Sequence, residues 1–319
     1  MVKFMARRLG IAAIQILVVT TIVFVLLHMM PGDPVLTMLG SDVNHDPAVV
    51  EAIREELGLN ESIPTQYFSW IKGIATGNMG KSYSEKIPVM EAIASRIPRT
   101  LELAFFALLL ACLIGIPLGV ISAIKRGSVI DTLLTMVASL GISTPVYVLG
   151  YLLVIVFALD VFKLGLPKMP ASGYVDITKN VAEHYRRLIL PTVTLSMGLA
   201  VSIIRMTRSS MLESMSGDYV IALRAKGVRK RKILIRHILR NSLIPVITVI
   251  GLQAGTLIGG TVLVENVFNW PGLSTLLVKA INYRDYPLIQ GCIFVMASMA
   301  ILTNLSVDLI YGVLDPRAR

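Results

Sequence analysis

The sequence predicts an all-α integral membrane protein with six transmembrane helices and both termini in the cytoplasm. Three observations carry that reading. Of 319 residues, 55% are hydrophobic and only 16% charged, a balance that a water-soluble globule could not bury. The apolar residues gather in runs of about 20 or more, the length of helix needed to cross a hydrocarbon core about 30 Å thick. The basic residues cluster between those runs: ten of the thirty Lys and Arg fall between Arg205 and Arg240, as expected of a cytoplasmic loop. The net charge of +10 therefore reflects topology, and no nucleic-acid partner is expected.

The first helix, Leu9–Met30, follows a short tail carrying Lys3, Arg7 and Arg8. The run is long enough to span and no small-residue cleavage site follows it, so an uncleaved anchor is expected over 1–30. Residues 31–98 are too polar for lipid and read as an extracytoplasmic loop with short helices. Asp46 can cap a helix with Pro47 at its first position, Val49, Val50, Ile53 and Leu57 on one side and Gly58 as its stop. A second short helix, from Pro64 to about Lys72, carries Tyr67, Phe68, Trp70 and Ile71. A cap packed on the membrane domain and a docking surface for an external protein both fit this segment. Ala75–Ser82, ATGNMGKS, has the look of a relaxed phosphate-binding loop. The strict pattern wants Gly in place of Ala75 and a strand-to-helix context, so no nucleotide is expected there.

Five further spans follow at Leu101–Ile124, Leu133–Leu159, Leu188–Met206, Leu243–Val264 and Leu288–Val307, giving a core over 99–311 and a cytoplasmic tail over 312–319. Lipid offers backbone amides no partners, so the spans must be helices. They hold few ionisable groups. Glu102 and Asp308 lie near span ends and His28 reads as interfacial, which argues against an ion-driven pump. Cys112 and Cys292 sit in apolar runs as packing residues rather than disulfide partners. No metal-binding histidine pair, nucleophile elbow or other catalytic pattern occurs, so no catalytic, cofactor-binding or metal residue is assigned and the chain is read as a non-enzyme. In the fifth span, Gly251, Gly255 and Gly259 share a face suited to close helix packing. Gln253, Thr256 and Thr261 are candidates for lining a polar pathway. Pro117 and Pro145 are expected to bend the second and third helices.

The basic loop reads as short helices under the membrane. Asp218 can cap the first, Tyr219–Lys226 supplies about two turns, and Gly227 provides a left-handed stop. Ala222 and Ala225 permit close approach by a partner, and Arg224 and Lys226 offer charge. Arg229–Lys232 leads into Ile233, Leu234, His237 and Ile238, a second amphipathic stretch. Spacing alone leaves a partner-docking helix and a headgroup-binding surface helix equally open.

Taken together, several segments resemble the inner-membrane permease subunits of peptide-type ABC importers, specifically the subunit with a large outer loop after its first helix. RMTRSSMLESMSGDYVIALRAKG (Arg205–Gly227) is similar to that family's form of the EAA coupling loop. VFNWPGLSTLLVKAINYRDYPLIQG (Val267–Gly291) is similar to its fifth-to-sixth connection, and NLSVDLIYGVLDPR (Asn304–Arg317) to its C-terminal signature. GNMGKSY and RIPRTLELA resemble further family segments, so the likeness runs essentially end to end.

The resemblance implies a type I ABC importer permease fold forming half of a pathway for dipeptides or oligopeptides in a prokaryotic inner membrane. It implies that Asp218, Tyr219, Ala222, Arg224, Ala225, Lys226 and Gly227 belong to a surface seated in a groove of a cytoplasmic ATPase. ATP and Mg would lie on those partner subunits, with no cofactor in this chain. The partners implied are a homologous second permease, two ATPases, an extracytoplasmic peptide-binding protein and the bilayer. The general EAA pattern wants Glu at Ile221 and Ala at Leu223, departures that look typical of the peptide branch. An importer of nickel, glutathione or oligosaccharides is the same-branch alternative; an ATP-independent channel or a membrane scaffold is the alternative of another class.

Overall fold

Fourteen α-helices and two π-helical segments account for the regular structure of a computed structural model that describes residues 2–29, 34–39, 46–56, 58–159, 161, 163, 165 and 167–314. In chain order they are α1 (Val2–Met29), α2 (Pro34–Leu39), α3 (Pro47–Glu56), α4 (Ile63–Thr76), α5 (Val89–Ala94), α6 (Ile97–Ile124), α7 (Val129–Ser143) and α8 (Val146–Leu153), which runs on as a π segment over Val154–Ala158. Then come α9 (Val181–Met215), α10 (Asp218–Ala225), α11 (Lys230–Lys232), a π segment over Ile233–Leu239, α12 (Arg240–Val267), α13 (Leu273–Asn282) and α14 (Tyr286–Leu314). No strand occurs among the described residues; Lys81 and Pro88 form an isolated bridge.

Among the described residues, five helical stretches are long and apolar enough to cross a bilayer: Met5–Met29, Val89–Ile124, Val181–Met215, Lys230–Val267 and Tyr286–Leu309. The third predicted span, Leu133–Leu159, is not one helix. α7 ends at Ser143 and Pro145 stands at the start of α8 with φ −57° and ψ 137°. Proline lacks the amide a continuing helix needs and disfavours helical backbone at the residue before it, so the run is broken rather than bent. Pro117, by contrast, lies inside an unbroken α6, as Pro191 and Pro245 do in α9 and α12.

The centre of the bundle is the pairing of α6 with α9. The face that α6 turns inward is built from small residues, Ala104, Ala107, Ala111, Gly115, Gly119, Ser122 and Ala123, all buried. A Cβ added at Gly115 would lie 2.7 Å from Ile203, and one at Gly119 would lie 2.6 Å from the Thr207 side chain and 2.8 Å from the Ile204 carbonyl. The two backbones thus meet where a side chain would hold them apart. Leu188, Leu195 and Ile203 from α9, and Val246, Leu257 and Val264 from α12, complete this core with Phe268 and Trp270. A second cluster joins Val23 and Leu27 of α1 to Val89, Ile93, Leu273, Leu288 and Cys292.

The predicted glycine face of the fifth span divides. Gly251 and Gly255 abut Val307 and Asn304 of α14, whereas Gly259 has nothing within 4 Å of where a Cβ would stand. α1 lies along α14, and Arg8 pairs with Asp308 at 2.6 Å. In the polar segment, Asp46 Oδ1 accepts from the Ala48 amide at 3.0 Å at the start of α3, and Gly58 takes φ +65° after its end; Leu57 lies outside the described residues. Ser62 caps α4, which runs to Thr76 rather than Lys72 and stops at Gly77 with φ +76°. Residues 315–319 of the expected tail also lie outside the described residues.

Overpacking of a close helix contact typically costs about 1–3 kcal/mol. Gly119→Val is expected to lower the thermal midpoint of the detergent-purified protein, followed by fluorescence-detected size exclusion. Gly198→Ala, at a helical glycine with open space around it, is expected to leave that midpoint within error.

Candidate coupling surface and pathway face

α10 is a two-turn helix set between the end of α9 and the run into α12. Its N-cap is Gly217, with φ −70° and ψ 144°, and no side chain caps it. Asp218, expected as the cap, is instead the first helical residue, where its charge opposes the positive end of the helix dipole. Gly227 takes φ +74°, its amide donates to the Arg224 carbonyl at 2.9 Å, and the Val228 amide donates to Leu223 at 3.1 Å. This left-handed turn returns the chain under α10.

The helix has two distinct faces. Val220 is buried and joins Ala123, Met211, Ile233 and Ile238 in a small core, with Leu223 and Val228 packed against it. Asp218, Ile221, Ala222, Arg224, Ala225, Lys226 and Gly227 are exposed together. Ile221 is 66% exposed, an apolar residue presented beside two alanines and framed by Arg224 and Lys226. Tyr219 departs from the expected surface. Its ring folds back over Gly217, and its hydroxyl is buried without a partner among the described residues. Tyr219 thus anchors α10 rather than extending its outer face.

The second amphipathic stretch is not a separate surface helix. Lys230–Val267 is continuous helix, with Ile233–Leu239 as a π segment, so Ile233 and Ile238 are buried where the run enters α12. Ser210 and Ser242 join the two rods here: the Ser210 hydroxyl donates to the Ser242 carbonyl at 3.0 Å, and the Ser242 hydroxyl reaches the Ser210 carbonyl at 3.2 Å.

A polar clamp missing from the sequence reading fixes α9 just above α10. Asp131, at the start of α7, is 5% exposed. Its carboxylate accepts from Arg208 Nε at 2.8 Å and from the other arm of that guanidinium at 2.9 Å, from Ser122 Oγ at 2.5 Å, and from the Gly127 amide at 3.0 Å. The Arg208 bonds, then Ser122 and Gly127, hold the Asp131 carboxyl well below the usual carboxylate range. The available signal was Asp131 just after the basic pair Lys125 and Arg126, and an arginine among the hydroxyls of α9. Their pairing needs the α7–α9 approach, which spacing does not reveal.

At the far end of the bundle, two further carboxylates do similar work. Glu265, fully buried near the end of α12, accepts from Thr100 Oγ1 at 2.8 Å and from the Ser274 and Thr275 amides at 2.9 and 3.2 Å. It therefore caps α13 from another helix, and Thr100 in turn receives the Leu273 amide at 2.8 Å. Asp285 accepts from Ser82 Oγ at 2.6 Å and from the Ser84 amide and hydroxyl, both at 2.9 Å. The stretch resembling a phosphate loop is thus a turn pinned to a carboxylate, an arrangement opposite to anion binding.

Of the three pathway candidates, two are placed together. Gln253 lines an open groove of about 500 Å³ between α9 and α12, with Ser202, Arg205 and Ser209 opposite. Thr256 is exposed on the same side, its hydroxyl bonded to the Gln253 carbonyl at 2.9 Å. Thr261 is fully buried, with its hydroxyl between the Ile258 carbonyl and Ser274 Oγ, so it packs against α13 and lines no open face.

A multi-pass helical membrane protein with a short, exposed helix anchored beneath one end of its central rod is the class this geometry defines. Residues 115–319 match the family described as binding-protein-dependent transport system inner membrane component, and residues 1–104 match its N-terminal counterpart. The chain belongs to this family of multi-pass inner-membrane transport components. It is 38% identical to the dipeptide transport system permease protein DppB of Escherichia coli K12, across 100% of this chain and 99% of that protein. It is 38% identical to DppB of Alkalihalophilus pseudofirmus, across the whole of both. A probable peptide ABC transporter permease of Sinorhizobium fredii is 39% identical across 99% of each. A solved amino acid ABC transporter chain aligns with a TM-score of 0.48 at 15% identity over 71% of this chain and 94% of that one, a likeness too slight to carry an argument.

Asp131 also sets a pH dependence. A carboxyl held below its ordinary pKa, about 3.9, stabilises the fold fully above that value, and the contribution is lost as pH falls through the lowered one. The thermal midpoint of the purified protein should therefore fall more steeply below about pH 4 than that of Asp131→Asn, whose midpoint is expected to be lower at pH 7. Parallel profiles across pH 3–7 would remove Asp131 from this role.

Proposed function

We propose that the chain is one permease half of an ATP-driven importer of dipeptides or oligopeptides. The observation that carries the reading is the full-length likeness to peptide permeases. In this reading the parts of α7 and α8 within Leu133–Leu159 together act as the third of six spans, both termini face the cytoplasm, and the permease has the type I importer arrangement. Residues 31–98 form an extracytoplasmic cap that meets a peptide-binding protein. A homologous second permease completes the pathway, and two cytoplasmic ATPases hold ATP and Mg.

The α10 geometry supports an ATPase contact. Small Ala222 and Ala225 allow a groove to close on the helix, Ile221 supplies apolar area, and Asp218, Arg224 and Lys226 set the register by charge. Val220 and Tyr219 hold α10 to the end of α9, so displacement of α10 carries the rod with it. Alternating access further requires that the nucleotide states of the ATPases favour different helix arrangements, since a partner binding both equally shifts nothing.

The first test is to purify the tagged chain from its native host in mild detergent and identify its partners by mass spectrometry. Two ATPase copies and a second permease are expected; a folded chain that stays alone or self-associates would overturn the assembly. Gly227→Val tests the coupling turn, because a β-branched residue resists positive φ and left-handed backbone costs an ordinary residue about 1–2 kcal/mol. Peptide uptake into vesicles should fall at least about tenfold with assembly retained, while Gly227→Asn keeps most of it. Normal uptake by an assembled Gly227→Val transporter would exclude the turn from coupling.

A further inference from the structure

The groove between α9 and α12 contains a cation, Arg205, that no ion pair among the described residues accounts for. Ser202, Arg205 and Ser209 stand at helical spacing on one side of α9, facing Gln253 across a space of about 500 Å³ whose floor includes Met206 and Leu252. Arg205 lies one residue before the end of the apolar run of α9 and is exposed toward this space. Among the described residues its guanidinium hydrogen-bonds only Ser139 Oγ, at 3.1 Å, and no carboxylate lines the groove. One further feature sets this face apart from a lipid-covered one. It carries three polar side chains besides the arginine, Ser202, Ser209 and Gln253. Ionisable groups on membrane helices face protein or a water-filled cavity, and mark ligand paths. The volume falls in the range of small-molecule sites, roughly 300–1,000 Å³.

Resting on the peptide-importer reading, we infer that Arg205, with Ser202, Ser209 and Gln253 around it, binds the terminal carboxylate of the peptide in transit. The charge fits one anion and the guanidinium fork fits a carboxylate in particular. Every unmodified peptide carries this group whatever its side chains, so a site for it is tolerant of sequence while rejecting a blocked terminus. Met206 and Leu252 offer an adaptable apolar surface to the variable part of the peptide, a use suited to the flexible thioether. Arg205 acts here as a binding and specificity residue.

The test uses a photoreactive dipeptide as the free acid and as its C-terminal amide, each applied to the assembled, detergent-purified transporter without its binding protein. Labelled sites are mapped by mass spectrometry. The free acid should label α9 and α12 about tenfold more than the amide, the scale of one charge-assisted hydrogen bond. Arg205→Gln should abolish that preference and Arg205→Lys should retain most of it. Equal labelling by acid and amide in the wild type overturns the site, as does an undiminished preference in assembled Arg205→Gln. If Arg205→Gln fails to assemble, the wild-type comparison with Arg205→Lys decides alone. A wild-type transporter that imports no peptide into vesicles overturns the underlying function, whereas import with equal labelling overturns only the carboxylate site.

Discussion

The close approach of α6 and α9 is the contact on which the rest of the molecule depends. Within lipid, apolar side chains gain little by leaving one hydrocarbon environment for another, so helix association rests on packing and on hydrogen bonds. Ala107, Ala111, Gly115 and Gly119 let the two backbones meet, and the side chains of Ile203 and Thr207 with the Ile204 carbonyl take the space that larger residues on α6 would have filled. α9 is 35 residues long, about 52 Å of helix. It runs from His184 at one end to the α10 turn at the other, and α6 holds it through much of its apolar length.

Polar groups lock the two ends of that rod. Near its start, His184 Nδ1 contacts the Val175 carbonyl at 2.7 Å, and Nε2 lies 2.8 Å from Glu102. The imidazole thus ties the start of α9 both to the preceding connection and to α6. Near the other end, Asp131 has four donors from Arg208, Ser122 and Gly127. Buried carboxylates are costly when any of their partners is missing and specify geometry when all are present. Glu265 and Asp285 apply the same rule to connections: each receives donors from a distant part of the chain, and each caps a helix with its remaining valence.

The two faces proposed to function therefore share one support. The exposed side of α10 and the polar strip of Ser202, Arg205 and Ser209 lie along the same continuous element or its immediate end. The short core of Met211, Val220, Ile233 and Ile238 joins α10 to both α9 and α12, the two walls of the groove. In the proposed importer a force on α10 would be delivered to both walls at once, as coupling to the groove requires.

The class of protein was legible in composition, run length and the placement of Lys and Arg, because the bilayer imposes a length and a polarity on each span whatever its neighbours. Local stops were legible for a similar reason: Gly58 and Gly227 adopt positive φ as their neighbours' patterns required. Pro145 was legible as a disturbance but not as a break, since the strength of its effect depends on whether surrounding helices keep the two halves aligned. Asp218 lost the cap to Gly217 by one position, where the Tyr219 ring lies folded back. Thr261 and Gln253 share a helix and looked alike in sequence, yet one is buried against α13 and the other faces the groove. The pairings of Asp131 with Arg208, Glu265 with Thr100 and Asp285 with Ser82 join residues 77, 165 and 203 positions apart. Local pattern determines which segments are helices and where they stop; only packing in three dimensions decides which of their faces meet, because that choice rests on shape and donor–acceptor matching between residues distant in the chain.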